Sequence, residues 1–186
     1  MQRCIWIALV AIVFTACRRE PEISTFYSLP DFSLTDQNGN RVTLHDLAGK
    51  VWVADFIFTN CGGTCPLMTE KMRRLQDALP SAVHFVSFTV DPARDTTKVL
   101  AAYAKEHGAN QERWSFLTGD KQELFDICIK GFKLPLDTEG GTPAEPIAHS
   151  ARFVLVDKKG DIRGYYSGTE EDELKRLAAD VRSVNK

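Results

Sequence analysis

Apolar and polar positions change rhythm several times along this 186-residue chain, and each rhythm predicts an element. Over Asp31–Leu44 they alternate around Asn38-Gly39, a tight-turn signal, so the stretch reads as a β-hairpin. VWVADFIFT, residues 51–59, is a nearly unbroken run of β-branched, aromatic and aliphatic residues, as expected of a central strand covered on both faces. A short turn segment, LHDLAGK, links the two. CPLMTEKMRRLQDALP then switches to helical spacing, with Met68, Met72, Leu75 and Leu79 on one face. Pro66 falls in the first turn, where its missing N–H costs nothing.

VHFVSFTVD reads as a second buried strand, and DPARDTTKVLAAYAKEHG as a loop and a helix stopped at Gly108. WSFLTG is a short strand or turn. KQELFDICIKGF is a helix with Phe125, Cys128, Ile129 and Phe132 on one face. LPLDTEGGTPAEPIAHS is a Pro- and Gly-rich loop, and residues 151–168 form two strands joined at Lys159-Gly160. The closing helix turns Leu174, Leu177, Ala178 and Val181 inward. A hairpin, alternating strands and helices, and a final antiparallel pair together describe an α/β layered domain. In such folds chemistry gathers at the carboxyl ends of the strands.

The first residues follow a different pattern. After Arg3, an apolar run from Cys4 to Phe14 is too short to cross a membrane but suits the core of an export signal. Small residues just before Cys17 resemble the bacterial lipoprotein signal, in which cleavage leaves a lipid-modified Cys17 as the new N-terminus. Plain cleavage after Ala16 and an uncleaved anchor are the alternatives. The chain thus divides into a signal peptide at 1–16, a polar tether at 17–27 and a domain at 28–186, exported and held at a membrane. Composition is that of an ordinary globular protein, 44% apolar and 26% charged, and monomer is the default expectation. A net charge of −2 gives no sign of a nucleic-acid partner.

Export narrows the cysteine chemistry. With Cys4 in the signal and Cys17 lipidated, Cys61, Cys65 and Cys128 remain, so at most one internal disulfide forms. Cys128, on an apolar stripe, reads as a small buried hydrophobe. That leaves Cys61 and Cys65, in FTNCGGTCP at the end of the central strand and the start of a helix. A helix N-terminus favours thiolate. Sulfurs at i and i+4 can converge on one ion or bond to each other, and the glycines permit the twist either needs. Two thiolates are an incomplete site for most metals. Among the four histidines, His45, His84 and His107 read as surface or structural residues. His149 differs: it ends the Pro- and Gly-rich loop and directly precedes a strand expected beside the central one. Both a ligand and a structural role fit it. Asp55 lies within the apolar strand six positions before Cys61, where burial favours its neutral form. Thioredoxins carry a buried Asp at this offset that assists proton transfer from the second cysteine, so Asp55 reads either as a group acting behind the cysteines or as a structural carboxylate. Asp91 and Asp95, in VDPARDT, read as residues that fix the loop and cap the next helix.

FTNCGGTCPLMTEKM, VDPARDT, FLTG and HSARFVLVD together resemble the signatures of Sco (SCO1/SenC) proteins, over nearly the whole domain from about Leu29 to the last helix. These are thioredoxin-fold copper chaperones that assist assembly of the dinuclear copper centre of cytochrome c oxidase. The resemblance implies a thioredoxin-like fold, a central mixed sheet flanked by helices, with an N-terminal β-hairpin. It implies that Cys61, Cys65 and His149 bind one copper ion, Cu(I) or Cu(II), with the copper-centre subunit of the oxidase as partner. One departure is Gly62, where many members place Pro after the first cysteine. Soft thiolates favour Cu(I), and imidazole accepts either state. The loop with Gly140-Gly141, Pro143 and Pro146 could supply motion of His149; its alternative reading is a long surface connection.

A second hypothesis uses the same cysteines as the redox pair, forming a Cys61–Cys65 disulfide, of a membrane-anchored thiol–disulfide oxidoreductase that reduces the copper-site cysteines of the partner. A peroxidase is a more distant version. No proline stands immediately before the strand near Ala151, where thioredoxins place a cis-proline for substrate docking, and this leans against general disulfide exchange. Zinc would need a fourth ligand, and no further Cys or His offers itself.

Overall fold

The computed structural model describes residues 23–137 and 147–186. The expected signal peptide, Cys17, the Gly140-Gly141 pair and Pro143 and Pro146 lie outside the described residues. The strands and helices are β1 (Ser33–Thr35), β2 (Arg41–Thr43), β3 (Val51–Ile57), α1 (Thr64–Ala78), β4 (Val83–Thr89), α2 (Thr97–Glu106), β5 (Trp114–Leu117), α3 (Lys121–Asp126), β6 (Leu136–Asp137), β7 (Ala148–His149), β8 (Arg152–Val156), β9 (Ile162–Ser167) and α4 (Glu171–Val184).

Five strands form the main sheet in the order β5-β4-β3-β8-β9. β3, β4 and β5 are parallel, and β8 and β9 add antiparallel neighbours. This is the mixed, helix-flanked sheet of a thioredoxin-like fold, and the N-terminal hairpin is present as β1 and β2. Gly39, at φ +83, makes its turn in a region that L side chains rarely enter. β3 is central, and all seven of its residues are buried, which is why its sequence shows no alternation.

The two faces of β3 carry different chemistry. Trp52 and Phe56 join Phe88 and Phe132 in an aromatic cluster with ring centroids 5.2–6.5 Å apart. Asp55 lies in register with Ser87 of β4, on the opposite face from Phe56. There α1 presents Met68, Met72 and Leu75, with Leu79 as its C-cap, all buried as their spacing requires. α4 buries Leu174, Leu177 and Val181, with Ala178 packed against the core. Beside β5, Thr35 and Thr118 exchange backbone bonds at 2.8 and 2.9 Å, and one side chain continues the pairing along the strand. Buried Gln37 donates to Trp114 O at 3.1 Å and accepts from Phe116 N at 2.8 Å, pairing with the strand as backbone would.

At the other edge the end of the tether is fastened down. Phe26 N donates to Ile162 O and Ile162 N to Tyr27 O, at 2.9 and 2.7 Å. Arg163 of β9 donates to the carbonyls of Ile23 and Ser24 and pairs with Asp157.

Three expectations change. Lys121–Phe132 is not one α-helix: α3 ends at Asp126, and Ile127–Gly131 winds as a π-turn closed by Phe132 N to Ile127 O at 2.8 Å. The wider turn shifts the buried stripe, so Ile127, Cys128 and Phe132 point inward while Ile129 is 47% exposed. The segment after it is not wholly loop, because β6 and β7 pair as a two-stranded ribbon, Leu136 opposite His149. α2 is capped by Thr96, whose side chain accepts from Val99 N, and not by Asp91 or Asp95. LHDLAGK contains a short 3-10 helix, Leu44–Leu47, capped by Thr43 and Asp46, and WSFLTG contains a true strand, β5.

Candidate metal and redox centre

Three pieces of chain meet at the carboxyl end of β3: its exit, Phe58–Asn60; the first turn of α1, holding Cys65; and the β6–β7 ribbon, holding His149. β8 pairs antiparallel with β3, so its start lies at the end where β3 finishes. That topology brings His149, just before β8, to the cysteines. The Cys65 sulfur lies 3.3 Å from Nε2 of His149. The His149 ring meets the Phe58 ring edge-on, centroids 5.7 Å apart, which fixes its plane. Its Nδ1 is 3.3 Å from the Ser150 carbonyl, which can only accept; with the proton on Nδ1, Nε2 would turn its lone pair toward the thiol.

Cys61 and Cys65 are free thiols in this structure, not a disulfide. Cys65 is fully buried; Cys61 is 7% exposed between the surface residues Asn60 and Gly62. The N-cap residue of α1, Gly63, makes no side-chain cap bond. That leaves the positive end of the helix to the sulfurs, yet for Cys65 the helix does not decide. Burial pushes its thiol far above the ordinary range, the N–H of Phe58 works the other way, and neighbouring Cys61 adds to the upward push. Cys65 is therefore a neutral thiol set against an imidazole. A cation placed there would displace the thiol proton. Cys128 is buried apart, its thiol pushed up to about 12 by burial alone.

Asp55 sits on the same side of the sheet as the cysteines. It is fully buried, and neither carboxylate oxygen has a hydrogen-bond partner. Burial pushes its pKa up to about 7, while Ser87, opposite on β4, pulls the other way without reaching hydrogen-bond geometry. Its charge and that of Cys65 oppose each other, so the two form one electrostatic unit. Below Cys65, Thr69 donates to the Cys65 carbonyl at 2.9 Å, and its hydroxyl meets Tyr103 of α2 at 2.8 Å. The sequence contained no signal for this link beyond a buried position on each helix. Nor did it show that Asp95 reaches Thr59, although VDPARDT marked the residue.

The other histidines stay away from this centre. His45 is in the 3-10 helix, His84 is the second residue of β4 with its pKa pushed down by burial, and the His107 ring lies tilted against Tyr103, centroids 4.2 Å apart. Among the described residues no three Cys, His, Asp or Glu side chains form a ready-made ion cluster. The arrangement is a closed thiol–imidazole contact with a second thiol beside it. Chemically it offers two soft sulfur donors and one nitrogen, or a dithiol able to close to a disulfide.

A family model described as SCO1/SenC matches residues 21–186. The SCO1 protein homolog of Bacillus subtilis (strain 168) is 36% identical over 163 residues, covering 86% of this chain and 83% of the relative. The solved structure of BsSco, described with a disulfide switch and as a member of the Sco family of cytochrome c oxidase assembly proteins, matches with a TM-score of 0.76 at 34% identity, over 86% of this chain and 94% of that one. Yeast Sco1 with copper bound matches with a TM-score of 0.69 at 26% identity, over 84% and 89%.

Proposed function

The chain belongs to the SCO1/SenC family, and on that premise we propose that it is a copper chaperone serving assembly of the dinuclear copper centre of cytochrome c oxidase. It binds one copper ion through Cys61, Cys65 and His149. The observation that carries this reading is the 3.3 Å contact between Cys65 Sγ and His149 Nε2, which places a soft sulfur and a borderline nitrogen side by side from distant parts of the chain. The donor set fits Cu(I). Copper is cargo, so the protein's task is to hold it and let it go. Cys65 gives up its proton when the ion enters, and His149 lies on a ribbon two residues deep. Asp55 stands behind the sulfurs as the group that answers their change of charge.

The test is an anaerobic Cu(I) competition titration of the reduced domain, with His149→Ala alongside. One ion per chain, held at least tenfold more tightly by the parent protein, is the expected result. Binding indifferent to His149 would overturn the three-ligand site.

A second reading rests on the unequal burial of the two thiols. Cys61 is the more accessible and Cys65 is fully buried, the arrangement of an attacking and a resolving cysteine. As an oxidoreductase, the pair would form a disulfide while a partner's disulfide takes up two electrons and two protons. His149 separates the readings, since thiol exchange has no need of that ligand.

The place of action follows from the N-terminal pattern. Export by the signal at 1–16, lipid on Cys17 and a domain outside the cytoplasm, working as a monomer, fit a partner embedded in the same membrane. No helix among the described residues is long and apolar enough to cross a membrane.

A further inference from the structure

The β3–β4 ladder runs out one step beyond the strands, at Val90 N to Ile57 O, 2.8 Å. Past that point the chain from β3 must still reach Cys61 in a defined position, and no further backbone pairing joins the two sides. A carboxylate takes over. Asp95, fully buried at the start of the segment leading into α2, accepts from Thr59 N at 3.1 Å and from Thr59 Oγ1 at 2.5 Å. It also accepts from Thr89 Oγ1, at the end of β4, at 2.5 Å. Asp95 N is held by Asp91 O at 2.9 Å, so the carboxylate is fixed from its own loop as well.

The adjacent residue makes this link consequential. The N–H of Phe58 favours the Cys65 thiolate, while the next N–H, that of Thr59, is directed to Asp95. The exit of β3 is thus tied to the β4–α2 loop one residue past Phe58, which itself acts on the second cysteine. Cys61 follows two residues later. We propose that Asp95 is a positioning residue for the cysteine pair: by pinning Thr59 to Thr89, it sets where Cys61 is presented relative to Cys65 and His149. It touches no reacting atom. Its part in copper binding rests on the function proposed above; its part in placing Cys61 does not.

Removing it takes the acceptor from a half-buried amide and two hydroxyls, so the turn before Cys61 loses its fixed anchor. Asn keeps an oxygen for Thr59 and offers an amide N–H to Thr89. The experiment compares the parent protein, Asp95→Ala, Asp95→Asn and Thr59→Val in metal-free, reduced form. It measures the iodoacetamide alkylation rate of Cys61 by mass spectrometry, then Cu(I) affinity by competition, with circular dichroism to establish folding. Asp95→Ala is expected to change the Cys61 rate at least threefold and lower Cu(I) affinity at least tenfold, with Asp95→Asn within twofold of the parent in both. Thr59→Val, which removes only one hydroxyl, covers the case in which Asp95→Ala does not fold. It is expected to change the Cys61 rate at least twofold. Unchanged Cys61 rates in the folded variants overturn the proposal, and so does failure of Asn to rescue. A changed Cys61 rate with no Cu(I) binding in any form, parent included, leaves the positioning role standing and removes the copper reading instead.

Discussion

Cys65 Sγ and His149 Nε2 stand 3.3 Å apart although 84 residues separate them in the chain. The antiparallel addition of β8 to β3 is what closes that distance, because it returns the chain to the end of β3 just after His149. Accessibility then splits the three cysteines. In the reduced protein, brief treatment with iodoacetamide is expected to label Cys61 first and Cys65 more slowly, with Cys128 labelled only on unfolding. Peptide mapping by mass spectrometry checks the order. Labelling of Cys128 in the native protein would contradict its burial.

Asp55 gives the protein a pH-dependent stability. Its folded-state pKa, about 7, lies above the ~3.9 of an unfolded aspartate. Between those values the native state binds the proton more tightly, so stability falls as pH rises from about 4 to about 7, by on the order of 4 kcal/mol at most. Above that range both states are ionised and the loss is complete. Asp55→Asn is expected to remove this slope and to be the more stable form at about pH 8. Urea midpoints of both proteins across that range measure it, and parallel pH curves would contradict it.

Phe132 ends the π-turn and fills the centre of the aromatic cluster against Trp52, Phe56 and Phe88. It is fully buried. Phe132→Ala is expected to cost about 3–5 kcal/mol, read from urea unfolding. Because the same turn leads into β6, the partner strand of His149, the variant is also expected to weaken the Cys65–His149 contact. Faster Cys65 alkylation under native conditions would register that change.

Cys17→Ser tests the anchor. In a bacterial host, the parent protein is expected in the membrane fraction with incorporated radiolabelled palmitate, and the variant without label. Equal labelling of both would place any lipid elsewhere.

The sequence made some of this architecture legible because periodicity reports burial directly. β3 could be read from its unbroken apolar run, and α1 and α4 from their stripes, since those elements are long enough for a period to show. The π-turn was not legible. One extra residue per turn leaves no mark in the pattern, and Ile129 was placed inward by a 3.6-residue rule that stops applying at Asp126. β6 and β7 are two residues each, too short for alternation to appear. At the centre, the cysteine pair was legible from its position between a strand and a helix. His149 was singled out by its place before β8 and by family resemblance, but its approach to Cys65 depends on strand order, which no local pattern contains. Asp95 was read as a cap because Asp before a helix usually is one. Thr96 does that work, and the carboxylate turns back to Thr59.

Arg163 gives the attachment of the domain a mechanical meaning. By holding the carbonyls of Ile23 and Ser24 against β9, it stops the tether from paying out slack. If Cys17 carries the proposed lipid, the six steps from Cys17 to Ile23 span at most about 20 Å. Such a domain does not sample a wide volume in search of a partner. On that proposal it would stay within a thin layer over the bilayer, where a membrane-bound subunit is at high local concentration and a soluble one is not, so the length of the link would itself select whom the protein can serve.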